Sequence, residues 1–190
     1  MRKIDDGASC AGSVVPGGMW IHFIETTYGA WLSGDPRGFR TRHHREHVDG
    51  DYKNPPPRDL YAHQFQRSVK SLKQPAVRLD DAWRPSVGVA VRDKLAERGA
   101  FVLCLAVSGQ HVHVLAKLPR GSEPRMMMGL AKKHAAFEMK GRGWEGKLWA
   151  RRGRELRVRG REHQLQVYRY ILAHANEGAG AWVWRWRVGE

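Results

Sequence analysis

Acidic residues, cysteines and long apolar runs are all scarce in this chain. Only 19 of its 190 residues are Asp or Glu against 33 Lys and Arg, which gives a formal charge of +14 and a pI of about 10.4. A surplus of that size points to a polyanionic partner. Two cysteines, Cys10 and Cys104, exclude a disulfide framework and suit free thiols in a reducing compartment, so the cytoplasm is the expected location. The longest apolar run, Ala100 to Val107, is far too short to span a bilayer as a helix, so no membrane contact is expected. The first residues, Met1-Arg2-Lys3-Ile4-Asp5-Asp6-Gly7, carry no apolar segment behind them that would signal secretion. What remains is ordinary: 42% hydrophobic and 27% charged residues exclude wholesale disorder, and the length suits one domain.

Residues 1–18 hold Gly7, Gly12, Pro16, Gly17 and Gly18 without apolar periodicity and read as a flexible leader. Residues 19–190 then read as a single domain with a loop insertion at about 33–58, where Gly, Pro, Arg and His crowd together. Trp20 to Tyr28, rich in aromatic and β-branched residues, predicts a first strand. Val87, Ala90, Val91 and Leu95 recur at helical spacing behind Pro85 and stop at Gly99. Phe101 to Val107 and His111 to Leu118 make a hairpin around Ser108-Gly109-Gln110. Ser122 reads as the cap of a helix whose stripe is Met127, Leu130, Ala131, His134 and Phe137, ending at Gly141. A basic stretch with a strand follows, then a helix over Glu162 to Glu177, and Trp182, Trp184 and Trp186 alternate at the end, most simply covering part of a sheet. This order predicts an α+β fold, a ferredoxin-like antiparallel sheet with helices packed on one face.

Chemistry concentrates at two places. In a strand, His111 and His113 project from one face about 7 Å apart at Cα, close enough for both rings to serve one metal ion. With 10 histidines in the chain, chance alone supplies such a pair roughly half the time. The context decides: Val112, Val114 and Ala116 take the core side and leave the histidine side for a site. On the last helix, Leu165, Tyr168, Ile171, Leu172 and Ala175 share one stripe, which makes Tyr168 a core residue. Tyr170 lies about 200° around from Tyr168 and pairs with His174 at i, i+4, on a face with His163 and Val167. His43-His44-Arg45-Glu46-His47 lacks helical metal-ligand order and reads as solvated loop.

Phe101 to Leu115 around His111-Val112-His113, followed about sixty residues later by Tyr168-Arg169-Tyr170-Ile171-Leu172-Ala173-His174, resembles the single-tyrosine HUH transposases, including the REP-associated tyrosine transposases. Trp31 to Gly38 and Lys147-Leu148-Trp149 look like text of the same family, and the likeness runs over about residues 19–178. The resemblance implies a ferredoxin-like fold, a divalent metal, Mg²⁺ or Mn²⁺, on His111 and His113, and Tyr170 as the nucleophile that cuts single-stranded DNA through a 5′-phosphotyrosine. His174 stands where the family usually has Gln or Asn as third ligand. A third imidazole shifts preference from Mg²⁺ toward Mn²⁺ or softer ions.

The basic residues fit a nucleic-acid substrate, single-stranded or hairpin DNA. Lys147, Arg151, Arg152, Arg154, Arg157, Arg159, Arg161 and Arg169 cluster against Glu155 and Glu162, and Lys132 and Lys133 turn away from the core stripe of their helix. Two other readings stay open: a non-catalytic DNA- or RNA-binding protein of the same fold, and a three-histidine metal hydrolase that activates water. Monomer and homodimer are both compatible with the sequence.

Overall fold

The computed structural model describes residues 4–7, 17–37, 39, 57, 59–176 and 181–186. The elements run β1 (Ile4–Gly7), β2 (Met19–Thr26), α1 (Ala62–Lys70), α2 (Trp83–Glu97), β3 (Phe101–Val107), β4 (His111–Leu118), α3 (Pro124–Gly141), β5 (Arg154–Arg157), α4 (Gly160–Ala173), a 3₁₀ turn (His174–Asn176) and β6 (Trp182–Trp186). One sheet of six strands has the order β1-β6-β3-β4-β2-β5, antiparallel at every pairing except β1 with β6. Its inner part, β3-β4-β2-β5 with α2 joining β2 to β3 and α3 joining β4 to β5, is the expected ferredoxin-like βαββαβ unit.

Strand alternation sorts the side chains onto two faces. Ile21, Phe23, Leu105, Val107, Val112, Val114, Ala116 and Leu118 pack with α2 and α3 in the larger core. A register shift between Val102 and Cys104 lets Val102 join that face while Cys104 and Ala106 turn to the other, as a bulge does. There, Cys104, Ala106, Leu115, Val158 and Val183 meet Val167 and Ile171 of α4 in a smaller cluster. The two ferredoxin-like helices therefore share one face as expected, and α4 is added across the opposite one. Trp182 lies on α2 so closely that a methyl at Gly88 would overlap its ring, and Trp182 and Trp184 are core residues.

Several expectations need correcting. The leader contributes a strand at Ile4–Gly7, paired with β6, because an edge strand recruits backbone groups whatever the side-chain pattern. The rest of 1–16 lies outside the described residues, as do most of the 33–58 insertion with His43, His44 and His47, and residues 177–180. Helix α1 follows that insertion; it buries none of its residues fully, so no strong core stripe announced it. In α3 the cap is Glu123, whose carboxylate accepts from the Arg125 and Met126 amides, and the buried stripe is Met127, Met128, Ala131, Ala135 and Met139 while Phe137 is 72% exposed. In α4 the buried residues are Gln164, Val167 and Ile171, with Leu165, Tyr168, Leu172 and Ala175 only half-buried beside them. The apolar arc of α4 is wide, and the sheet takes the edge of it that also carries polar residues. Val167 thus belongs to the core side and not to an outward face.

Candidate functional site

The open face of β4 carries the centre of the site. Thr26 pairs with His111 and Ile24 with His113 across β2, so both imidazoles point to the α4 side, His111 half-buried and His113 only 4% exposed. His174 arrives from the junction of α4 with the 3₁₀ turn and is 2% exposed. One ligand atom from each of these three histidines lies within 4.8 Å of the others. The ring centroids are 4.9 Å apart for His111 and His113, 5.4 Å for His111 and His174, and 4.6 Å for His113 and His174. His174 continues the buried Gln164-Val167-Ile171 side of α4, so the sequence erred in placing it away from the core stripe: the site is built into the helix–sheet contact.

Hydrogen bonds orient two of the rings. His174 Nδ1 donates to the Tyr170 carbonyl at 2.9 Å; a carbonyl only accepts, so the lone pair of His174 is on Nε2. His113 Nδ1 lies 3.0 Å from Nε2 of His22, which leaves its own Nε2 for the site. His22 comes from β2, is 5% exposed, and had no part in the sequence reading. Its alternation between core-facing Ile21 and Phe23 was the available signal, because it puts His22 on the face of His113. Burial, with the other histidines and Arg37 or Arg154 adding repulsion, pushes His22 and His111 down to about 4 and His113 to about 2. His22, His111 and His113 are therefore neutral imidazoles at neutral pH, the state in which imidazole binds metal. Three converging nitrogens, with Nδ1 of two rings engaged behind them, fit a divalent ion.

Tyr170 is 50% exposed and stands with its ring edge-on to His174 at 4.8 Å, to His113 at 5.3 Å and to His22 at 6.1 Å. Tyr168 packs half-buried against the smaller cluster. The two tyrosines thus part as expected: Tyr170 joins the histidines, and Tyr168 does not.

The basic residues do not form a single stripe. Lys133, Lys147, Arg151, Arg152, Arg154, Arg157, Arg159, Arg161 and Arg169 are exposed. Arg154 is the Cα partner of Ile24 and Arg157 of Ile21, which puts Arg154 on the histidine face and Arg157 on the opposite one. Arg161 donates to Gln164 at 3.2 Å. Lys132 departs from the reading of it as a DNA-facing surface lysine: its ammonium donates to Glu25 at 2.6 Å and to the Ala150 carbonyl at 3.0 Å. Arg37 closes the loop after β2 onto the site. Its guanidinium donates to Asp35, to the Ala30 carbonyl and to Gln110, the residue before His111, and it stacks 4.3 Å from the exposed Trp31 ring.

Among the described residues no helix is long and apolar enough to cross a membrane. No protein-family model matches the chain, and no curated protein does. Solved structures similar to it include two transposase structures. The first is a REP-associated tyrosine transposase bound to a REP hairpin, with 15% identity and a TM-score of 0.44 over 90% of this chain and 74% of that one. The second, a candidate transposase from Deinococcus radiodurans R1, has 15% identity and a TM-score of 0.46 over 90% of this chain and 100% of that one.

Proposed function

We propose that this chain is a metal-dependent, single-tyrosine nuclease of the transposase type, cutting single-stranded or hairpin DNA and rejoining it through a 5′-phosphotyrosine. The observation that carries the reading is the convergence of His111, His113 and His174 within 4.8 Å with the Tyr170 ring against two of them. His111, His113 and His174 would hold the ion, Mn²⁺ or softer in preference to Mg²⁺ because all three donors are nitrogen. Bound there, a divalent ion supplies Lewis-acid stabilisation of charge on the phosphate oxygens.

The chain's own residues do the rest. The Tyr170 oxygen loses its proton and attacks phosphorus; the P–O bond to the 3′-oxygen breaks, and that oxygen takes up a proton as a free 3′-OH. The new phosphotyrosine ester retains the energy of the diester, so the 3′-OH can attack it to restore the strand. His113 and His174 flank the Tyr170 ring and limit where its hydroxyl can sit. Arg154, on the same face, offers charge to the phosphate backbone.

The test is cleavage of single-stranded DNA hairpins with Mg²⁺ or Mn²⁺, read for covalent adducts. Tyr170→Phe should abolish cleavage and adduct and leave binding nearly unchanged, since every positive charge remains. Tyr168→Phe should cleave almost as well as the native chain. Cleavage that survives both substitutions but not His111→Ala would replace the tyrosine by activated water. No cleavage of any hairpin by the native protein would favour a binding protein without catalysis.

A further inference from the structure

The three ligand histidines are not held alike. His113 and His174 each engage Nδ1 with a partner, His22 Nε2 and the Tyr170 carbonyl. Among the described residues no hydrogen bond reaches the half-buried His111 ring, which has the other two histidines beside it. A metal-bound imidazole is ordinarily oriented by a bond behind it, so what fixes His111 acts through its backbone.

The backbone ahead of His111 belongs to a closed ring of hydrogen bonds. Arg37 Nη1 donates to Gln110 Oε1 at 2.8 Å, and Nη2 donates to the Ala30 carbonyl at 2.6 Å. The Ala30 amide donates to the Thr27 carbonyl at 3.2 Å and the Thr27 amide to the Gln110 carbonyl at 2.9 Å, which closes the ring on Gln110. Thr26, one residue earlier, is the ladder partner of His111. Four of the five guanidinium hydrogens are spent, because Nε and Nη2 also hold the two oxygens of Asp35, itself 3% exposed. The Trp31 ring lies against the guanidinium at 4.3 Å. Helix α1 braces this loop from behind: Gln64 donates to the Ser33 hydroxyl and Ser68 to the Ser33 carbonyl, and a methyl at Gly34 would overlap the Phe65 backbone. An arginine meant for phosphate keeps its fork open. This fork is used up within the chain.

We propose that Arg37 is a positioning residue for the metal site: with Gln110 it fixes the start of β4, and thereby the His111 ring, so that three nitrogens meet at one ion. The ion and its use in cleavage rest on the function proposed above. The role is mechanical and does not come from charge. Arg37→Lys keeps the charge and a partner for Asp35, but an ammonium cannot span Asp35, Ala30 and Gln110 together.

The experiment uses titration calorimetry with Mn²⁺ and the absorption bands of bound Co²⁺, which report coordination geometry, on the native chain, Arg37→Lys, Arg37→Ala, Gln110→Ala and the Arg37→Lys/Gln110→Ala pair. Each single variant should lower Mn²⁺ affinity roughly tenfold and alter the Co²⁺ bands. The pair should lose no more than Arg37→Lys alone, since both changes break one contact. Hairpin binding by the metal-free variants should stay within about twofold of native, because no phosphate contact is removed. Gln110 is partly exposed, so Gln110→Ala carries the test even where a change at Arg37 prevents folding. Three results would overturn the proposal and leave the nuclease reading standing in a chain that forms the tyrosine adduct. These are Mn²⁺ affinity within about twofold of native in Gln110→Ala, native affinity in Arg37→Lys with loss only in Arg37→Ala, and a lowered melting temperature with unchanged Co²⁺ bands. The expected losses, in a native chain that never forms the adduct, would sink the nuclease reading and leave Arg37 in its role. A native chain that binds neither ion would remove both.

Discussion

Replacing His22 by Phe removes the hydrogen-bond partner of His113 while keeping an aromatic ring in a position that is 5% exposed. An ion on His113 Nε2 requires the proton on Nδ1, and in the native chain that N–H donates to His22 Nε2, 3.0 Å away. Without His22 the N–H is stranded in a site where His113 is 4% exposed, at a cost of about 1–3 kcal/mol. Loss of a partner behind a metal-bound histidine weakens metal affinity roughly 10–100-fold, which is about 1.4–2.7 kcal/mol. The two estimates agree. The metal-free protein escapes part of this cost, because there the His113 ring can move its proton to Nε2. His22→Phe should therefore lower affinity for Mn²⁺ by 10- to 100-fold, as estimated above, with a smaller change in unfolding of the metal-free chain. Titration calorimetry with Mn²⁺, or Co²⁺ absorption, reads the affinity; His22→Gln, which restores an acceptor, should recover part of it. Binding by His22→Phe within about twofold of the native value would refute the reasoning.

Acidity and salt give two further tests. His22 and His111 are lowered to about 4 and His113 further, so His111 and His113 should not lose Mn²⁺ to protons, as read by calorimetry on the His174→Gln variant, until the pH falls well below the ordinary imidazole value of about 6.5. Between 6.5 and 4 the unfolded imidazoles bind protons that the folded ones refuse. Stability of the metal-free chain is thus fully present above 6.5 and falls as pH drops, by up to about 1.4 kcal/mol per pH unit for each such group; a flat denaturation midpoint across that window would contradict the burial of these rings. If six of the exposed cations meet phosphates, single-strand binding should show a log–log salt slope of about −4 and weaken roughly 300-fold from 50 to 200 mM. A slope near zero in anisotropy titrations would exclude backbone contact.

The ferredoxin-like core and the histidine strand were legible because alternation has only two answers: once Val112, Val114 and Ala116 face the core, His111 and His113 cannot. Helical phase is less forgiving. In α4 both Leu165-Tyr168-Leu172 and Val167-Ile171 are apolar enough to claim the sheet, and burial of the polar Gln164 and His174 is not a preference that apolarity reveals. The same limit applied in α3, where Phe137 joined the expected stripe and the methionines took the core. Lys132 looked like a surface charge because its partner, Glu25, is 107 residues away on a strand whose register no local pattern fixes. His22 was missed for a related reason: a histidine among apolar residues acquires meaning only when the neighbouring strand is known to be β4.

Helix α4 rests on the smaller of the two apolar clusters, yet it brings both Tyr170 and His174 to the sheet. An ion shared between β4 and α4 would act as a reversible cross-link, closing a loop of about sixty residues between His113 and His174 much as a disulfide does. Cys104, fully buried beneath that helix, reaches solvent only when the helix lifts. Occupancy of the histidines and docking of the helix would then be linked equilibria, and an ion that held His174 to the sheet would also hold the phenol beside it.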